Sequence, residues 1–323
     1  CKDKANLMCC MLRSLGIPAY LLAVYADDRT YVRQEWPAAQ QFDHCIVALQ
    51  AGDGQEGPIV AHPRLGRLLI FDPTDPNTPL GDLPVEEQGS LGMLMVREPS
   101  ALIRLPVLAT ERNRMERTND VVLQSNGSIH GTMRERSWGS VATQERRLFR
   151  ALAAAPYRER VQSWLATSAP RANVSALRAT PQDSTSAFEL DLEYTAERYA
   201  QEMDRLFLLR PTFVERWEES LGADAPRSSP IDIEERVCRE RTTVHLPDGL
   251  GVDELPDPVR LETAFGSYIW EVDRNAPPGE LRVRREIVMR RMTLPPDQYP
   301  AVKSFWEKVR AAEQARVVLV RKD

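Results

Sequence analysis

Apolar positions recur with a helical period at the start of the chain. Ala5, Met8, Cys9, Leu12 and Leu15 fall three or four residues apart, which predicts an amphipathic helix over residues 2–15. Gly16 is placed to stop it, and Pro18 cannot continue it. The run Ala19 to Tyr25 then reads as a buried strand, followed by a turn at Asp27-Asp28-Arg29. Phe42 to Leu49 and Leu68 to Phe71 are also apolar and β-prone. With the Gly-rich piece 52–58 between them, they predict an antiparallel hairpin with an elaborated loop. From 73 to 106 the chain is rich in Pro and Gly, and is expected to wrap around the core without regular structure.

Beyond that segment the texture changes. Asp120 to Gln124 and Ile129 to Arg136 flank Ser125-Asn126-Gly127-Ser128, a hairpin signal because Asn-Gly suits a tight turn. Val141 to Leu165 is expected to be one helix, with Leu148, Leu152, Val161 and Leu165 on its apolar side. Strands are expected at 188–194, 237–246, 259–272 and 280–292, then a helix at 301–313 and a last strand at 315–320. These strands alternate polar with apolar residues, as half-exposed sheets do. No internal repeat stands out.

Composition narrows the class. With 323 residues the chain is long enough for about two domains. It carries 42 basic and 47 acidic residues, a net charge of −5, and so lacks the basic excess of a nucleic-acid surface. No apolar run reaches the ~18 residues of a membrane span. Cys1, Cys9, Cys10, Cys45 and Cys238 are an odd set without Cys-x-x-Cys spacing, so neither a zinc knuckle nor a disulfide framework is indicated. No Ca²⁺-loop spacing of carboxylates occurs, and neither a metal nor a cofactor is expected.

Three residues carry candidate chemistry. Cys1 stands at the start of the first helix, where unpaired N–H groups and partial positive charge favour a thiolate; Lys2 and Lys4 add to that charge. His44, on a predicted strand, is a candidate base for the sulfur proton. Asp72, at the end of the next predicted strand, is a candidate to fix the imidazole tautomer if the two share a face. Each has a plainer reading: an incidental cysteine, a half-buried histidine, and an Asp-Pro turn. Cys9 and Cys10 are expected in the core, and Cys45 buried on the strand face opposite His44. Asp43 and Asp75 read as solvent or turn residues, and Asp3 as a competitor for His44. Trp36-Pro37 fits a substrate groove and a packed loop anchor equally. His62, His130 and His245 have no spaced carboxylate or thiol partner.

Cys1-Lys2-Asp3-Lys4-Ala5, Phe42-Asp43-His44 and Phe71-Asp72-Pro73-Thr74 together resemble the transglutaminase-like superfamily, in particular its bacterial multidomain members. Gly81-Asp82-Leu83-Pro84 followed by Gln88-Gly89 resembles the segment that closes the core in such proteins. Tyr299 and Phe305-Trp306 match more loosely. The resemblance implies an α+β fold: the C-terminal part of a papain-like or transglutaminase-like core over 1–106, a helix plus antiparallel strands, then a β-rich domain with two helices over 107–323. It implies Cys1 as nucleophile, His44 as general base and acid, Asp72 as orienter, and a thioester intermediate in attack on amide bonds. Peptidase or amidase action is expected rather than cross-linking, on a protein or peptide substrate, in the periplasm or cell envelope. Such proteins carry sequence before the nucleophile. Cys1 is therefore expected to be an internal residue exposed by truncation, in a fragment of low activity, with one oxyanion donor (the Cys1 N–H) present and the other upstream.

Two other readings compete. One is a catalytically silent module that binds a protein or polysaccharide. The other is an N-terminal-nucleophile hydrolase, disfavoured because residues 2–8 have a helical period and a separate His/Asp pair is available.

Overall fold

The first helix, α1 (Lys2–Ser14), packs its buried face, Ala5 and Cys9, against Ala19, Cys45 and Val47. Gly16 ends it in the left-handed region at φ +79°, a conformation that suits a residue without Cβ. Helix α1 lies against β1 (Ala19–Val24) and β2 (His44–Gln50). The remaining strands of this sheet are β3 (Ile59–His62), β4 (Gly66–Phe71), β5 (Leu91–Met95) and β6 (Leu102–Arg104). The order is β3-β4-β2-β1-β5-β6, and every pairing is antiparallel. The face away from α1 buries Leu22, Val24, Ile46, Ala48, Leu68 and Ile70 under Leu83, Leu94, Ile103, Leu105 and Leu108.

This computed structural model describes residues 1–36, 38–96, 102–182, 186–217 and 227–322. Pro37, half of the Trp36-Pro37 pair, lies outside them, as do 97–101 within the expected wrap-around segment. That segment is not irregular throughout, because β5 and β6 lie within it. Gly92 hides β5 from a pattern reading, and close packing requires it: a Cβ there would meet Leu22 Cδ1 at 2.9 Å. The compact units divide as Cys1–Arg112 and Asn113–Asp323, whereas the expected boundary stood at 106/107. Residues 107–112 stay with the first unit through Leu108, whose N–H meets Gln88 Oε1 at 3.1 Å. Arg112 also binds Asp82 there, at 3.0 Å.

The second unit begins with the hairpin β7 (Arg114–Leu123) and β8 (Ile129–Ser137). The single helix expected at 141–165 is instead two, α2 (Gly139–Ala151) and α3 (Ala154–Ser168). Pro156 explains the break: it tolerates a first turn, but inside a continuous helix its ring would collide with the Leu152 carbonyl. Leu152 and Ala153 accordingly take extended backbone angles. The unit therefore holds three α-helices among its described residues, rather than two.

The chain continues through β9 (Ala172–Gln182), β10 (Ala187–Ala196), β11 (Gln201–Met203), β12 (Leu206–Leu209), β13 (Ile231–Ile233) and β14 (Arg236–His245). Then follow β15 (Leu250–Glu254), β16 (Val259–Glu262), β17 (Gly266–Val272), β18 (Glu280–Met289) and β19 (Met292–Leu294). Helix α4 (Tyr299–Glu313) and β20 (Val317–Arg321) complete it. Eight strands form one sheet, β16-β17-β18-β14-β7-β8-β10-β9, antiparallel except for β14 against β7. The stretch 259–272 is two strands because Thr263 and Gly266 close a turn within it. The architecture is thus mixed α+β and strand-rich.

Charge runs through the second unit's interior. Arg117 binds Glu135 at 2.5 Å and Glu240 at 3.0 Å, and reaches the more exposed Glu215 at 3.1 Å. Arg285 binds Glu240 at 2.6 Å and also pairs with Glu313, whose other oxygen accepts the Tyr268 hydroxyl at 2.6 Å. Trp217 lies 4.3 Å from the Arg285 guanidinium and Trp164 lies 5.3 Å from that of Arg117, so aromatic faces cover both cations.

Candidate functional site

His44 opens β2 and Asp72 follows directly on β4, its hydrogen-bonded neighbour. Both have the parity of Ile46, Leu68 and Ile70, so they belong to the face opposite α1. His44 Nε2 stands 3.1 Å from Asp72 Oδ2. The other carboxylate oxygen, Oδ1, accepts the Thr74 backbone N–H at 2.8 Å, the Asx-type turn that an Asp-Pro-Thr sequence favours. The Thr74 hydroxyl lies 3.4 Å from His44 Nε2. With Nε2 turned toward Asp72, Nδ1 is the ring atom left for another partner.

Electrostatics follow from these contacts. The hydrogen bond that His44 donates to Asp72 raises the His44 pKa above its ordinary value against the opposing effect of burial. Burial works against the Asp72 charge, but hydrogen bonds from His44 and Thr74 outweigh it and hold the carboxyl below its ordinary range. A further acid, Glu87, lies with Oε1 3.8 Å from His44 Nε2. Burial and the neighbouring Asp72 push its pKa up to about 9, so at neutral pH it is a carboxylic acid. Sequence reading missed Glu87. It lies in the segment expected to be irregular, and nothing in Val85-Glu86-Glu87-Gln88 separates it from a surface acid.

Cys1 is the N-cap of α1 and is exposed. Lys2, the first residue of that helix, is close enough to Cys45 for its charge to favour ionisation of the thiol. The helix start and the start of β2 therefore lie at the same end of the sheet. Among the described residues no hydrogen bond joins the Cys1 side chain to His44. The structure thus brings His44 and Asp72 into contact and leaves Cys1 beside them unbonded.

The remaining residues divide between agreement and correction. Cys9 is buried under α1 and Cys45 is buried opposite His44, but Cys10 is exposed rather than in the core. Asp43 is exposed and accepts the Ala26 N–H just beyond β1, and Asp75 accepts from Asn77 and Thr78 as a turn residue. His62 accepts backbone N–H groups of Arg64 and Leu65. His245, expected to lack a carboxylate partner, has Asp120 at 3.2 Å and Glu280 at 3.9 Å, because the parallel β7 and antiparallel β18 flank it. Among the described residues, the one cluster whose donor atoms are spaced for a cation is His44, Asp72 and Glu87, all within 4.8 Å of one another. The Asp72 oxygens there already accept N–H groups.

Residues 204–319, inside the second unit, match DUF3858, a domain of unknown function with a solved structure. No curated protein matches the chain. A crystal structure described as that of a "putative protease" from Parabacteroides distasonis is similar over 98% of this chain, at 13% identity and a TM-score of 0.48. The chain spans 43% of that protein's length.

Proposed function

We propose that the first unit is the thiol-bearing part of a transglutaminase-like cysteine enzyme that cleaves amide bonds. The observation that carries this reading is the His44–Asp72 contact at 3.1 Å, formed at the sheet end where α1 begins with Cys1. Cys1 Sγ would give its proton to His44 and attack the amide carbon. As the C–N bond breaks, His44 returns the proton to the leaving amine, and a thioester remains. Water, activated by the same imidazole, would release the acid and restore the thiol. Asp72 keeps Nε2 protonated and Nδ1 facing the sulfur. Catalytic hydrogen bonds are often long before substrate arrives, so the unbonded Cys1 is compatible with this role.

Peptide or protein amides are the proposed substrates, hydrolysis rather than transamidation the proposed outcome, and the periplasm or cell envelope the proposed location. No helix among the described residues is long and apolar enough to cross a membrane. The exposed, unbonded thiol favours one rival, a silent module that binds a protein or polysaccharide partner.

Cys10, exposed on the same helix, supplies an internal reference. With a thiol-directed electrophile and peptide mass spectrometry, Cys1 is expected to label at least about tenfold faster than Cys10. His44→Ala is expected to remove that advantage with circular dichroism unchanged. Equal rates at the two thiols would favour the silent module.

A further inference from the structure

Glu87 is fixed in place as firmly as the two residues it faces. Its N–H donates to the Pro84 carbonyl at 3.1 Å, and its own carbonyl accepts the Ser90 N–H at 3.1 Å and hydroxyl at 2.7 Å. Next along the chain, Gln88 spans the buried interior from the Leu83 carbonyl to the Leu108 N–H. The Glu87 side chain is 3% exposed, and among the described residues no arginine or lysine pairs with it. Oε2 has no partner. An oxygen of its carboxyl group lies within 4.8 Å of one of Asp72, and that neighbour disfavours its ionisation.

Two buried carboxyl groups this close do not both ionise without a cation between them, and the surroundings decide which one keeps the proton. Asp72 is served by the Thr74 N–H and by His44, which favour its ionised form. The Glu87 side chain has no such donor, so the proton belongs to Glu87.

We propose that Glu87 is a positioning residue acting through Asp72: its carboxyl proton bridges the two groups, so that Asp72 orients His44 while one net negative charge, rather than two, faces the imidazole. This deepens, and rests on, the assignment of His44 as the proton-transfer group. Two ionised carboxylates beside Nε2 would raise the His44 pKa by a further one to three units, as an added anion within about 4–6 Å does. An imidazole held protonated so far into the alkaline range is a poor base for a thiol. The bridging proton keeps it able to exchange protons near neutrality. The charged groups that act on Glu87 are Asp72, His44 and Glu86; those that act on His44 are Asp72 and Glu87.

The test follows protonation directly in the full chain, by NMR of ¹⁵N-labelled histidine and ¹³C-carboxyl-labelled glutamate. The His44 signal is assigned by its loss in His44→Gln. In the wild type, one glutamate carboxyl is expected to titrate near pH 9, accompanied by a second, alkaline step in the His44 ring shifts. Glu87→Gln keeps the shape and removes the ionisation. It should abolish the alkaline step and move the main His44 step by less than about one unit, whereas Glu87→Asp, which retains an ionisable carboxyl, should restore an alkaline step. An alkaline His44 step that persists in Glu87→Gln overturns the proposal. So does a wild-type spectrum in which no glutamate titrates above pH 7, a reading that needs no variant to fold. None of these signals requires turnover. A chain that shows both steps while Cys1 labels no faster than Cys10 counts against the enzyme and keeps the Glu87 role; one with the Cys1 advantage and without the steps does the reverse.

Discussion

The two units bury ionisable side chains in opposite ways. In the second, each buried carboxylate of the core network has a guanidinium against it: Glu135 on Arg117, Glu313 on Arg285, and Glu240 on both. Burial alone would push the Glu240 pKa up, but the two arginines hold it below the ordinary value. In the first unit, Asp72 and Glu87 face one imidazole and, among the described residues, no guanidinium. The deficit is met by a proton on Glu87. Matched buried charge fixes a structure, whereas unmatched buried charge leaves a proton that can move, which is the property a catalytic site needs.

Breaking the matched side should cost most. Arg285→Ala strands Glu313 in the interior and leaves Glu240 with Arg117 alone, and removing one partner of a buried pair costs about 3–5 kcal/mol. Urea unfolding of the full chain, followed by the emission of Trp217 beside Arg285, is expected to show the second unit's transition at much lower denaturant. Arg285→Lys should recover little, since one ammonium cannot serve Glu240, Glu313 and the carbonyls of Val214 and Glu215 together. A loss below about 1 kcal/mol would place the network among the energetically idle ion pairs.

The unmatched side should show itself through pH. The folded pKa of Glu87 is raised to about 9 from 4.5, so its contribution is full below pH 4.5 and is lost as pH rises toward 9. The slope is about 1.4 kcal/mol per pH unit for one proton. His44, also raised, contributes fully below 6.5 and loses that contribution as pH climbs through its folded value. Asp72, lowered, contributes above 3.8 and loses its share as pH falls through its folded value. The first unit is therefore expected to be most stable near pH 4, above the 3.8 of an ordinary Asp72 and below the 4.5 of an ordinary Glu87. Denaturant melts at pH 5, 7 and 8.5 should show its stability falling steadily. In Glu87→Gln that fall should flatten, leaving chiefly the His44 contribution. Equal slopes in the two proteins would mean that Glu87 is ionised in the fold.

The contrast also explains what could be read from the sequence. His44 and Asp72 were legible because each sits at a strand end beside a recognisable neighbour, and strand parity fixes which residues share a face. The hairpin around Asn126-Gly127 was legible for a local reason too, since Gly127 takes φ +79° and a Cβ there would meet the Ala200 carbonyl at 2.6 Å. Pro156 announced the break between α2 and α3, and the apolar period on both sides concealed it. Glu87 had no local signal, because its role depends on a partner 15 residues earlier in the chain and on burial by the tertiary fold. The charge network was hidden by residue type: Arg117, Glu240 and Arg285 share strand parity with Met115, Cys238 and Val283 on the buried face, but a charged side chain reads as solvent-facing.

The smallest expected effect separates backbone from side chain within the site. Thr74 touches the pair twice, through a backbone N–H at 2.8 Å from Asp72 and a hydroxyl at 3.4 Å from His44 Nε2. The hydroxyl contact is long for a hydrogen bond, and the backbone bond is the stronger of Thr74's two influences on the Asp72 charge. Thr74→Val keeps the β-branched shape and the N–H while removing the hydroxyl. It is expected to change the Cys1 labelling rate by less than about threefold, and to cost at most about 1 kcal/mol. His44→Ala, by contrast, removes the base and should erase the labelling advantage of Cys1 over Cys10. A Thr74→Val effect as large as that of His44→Ala would mean that the hydroxyl, rather than the carboxylate held by the turn, fixes the imidazole. The orienting role would then pass from Asp72 to Thr74.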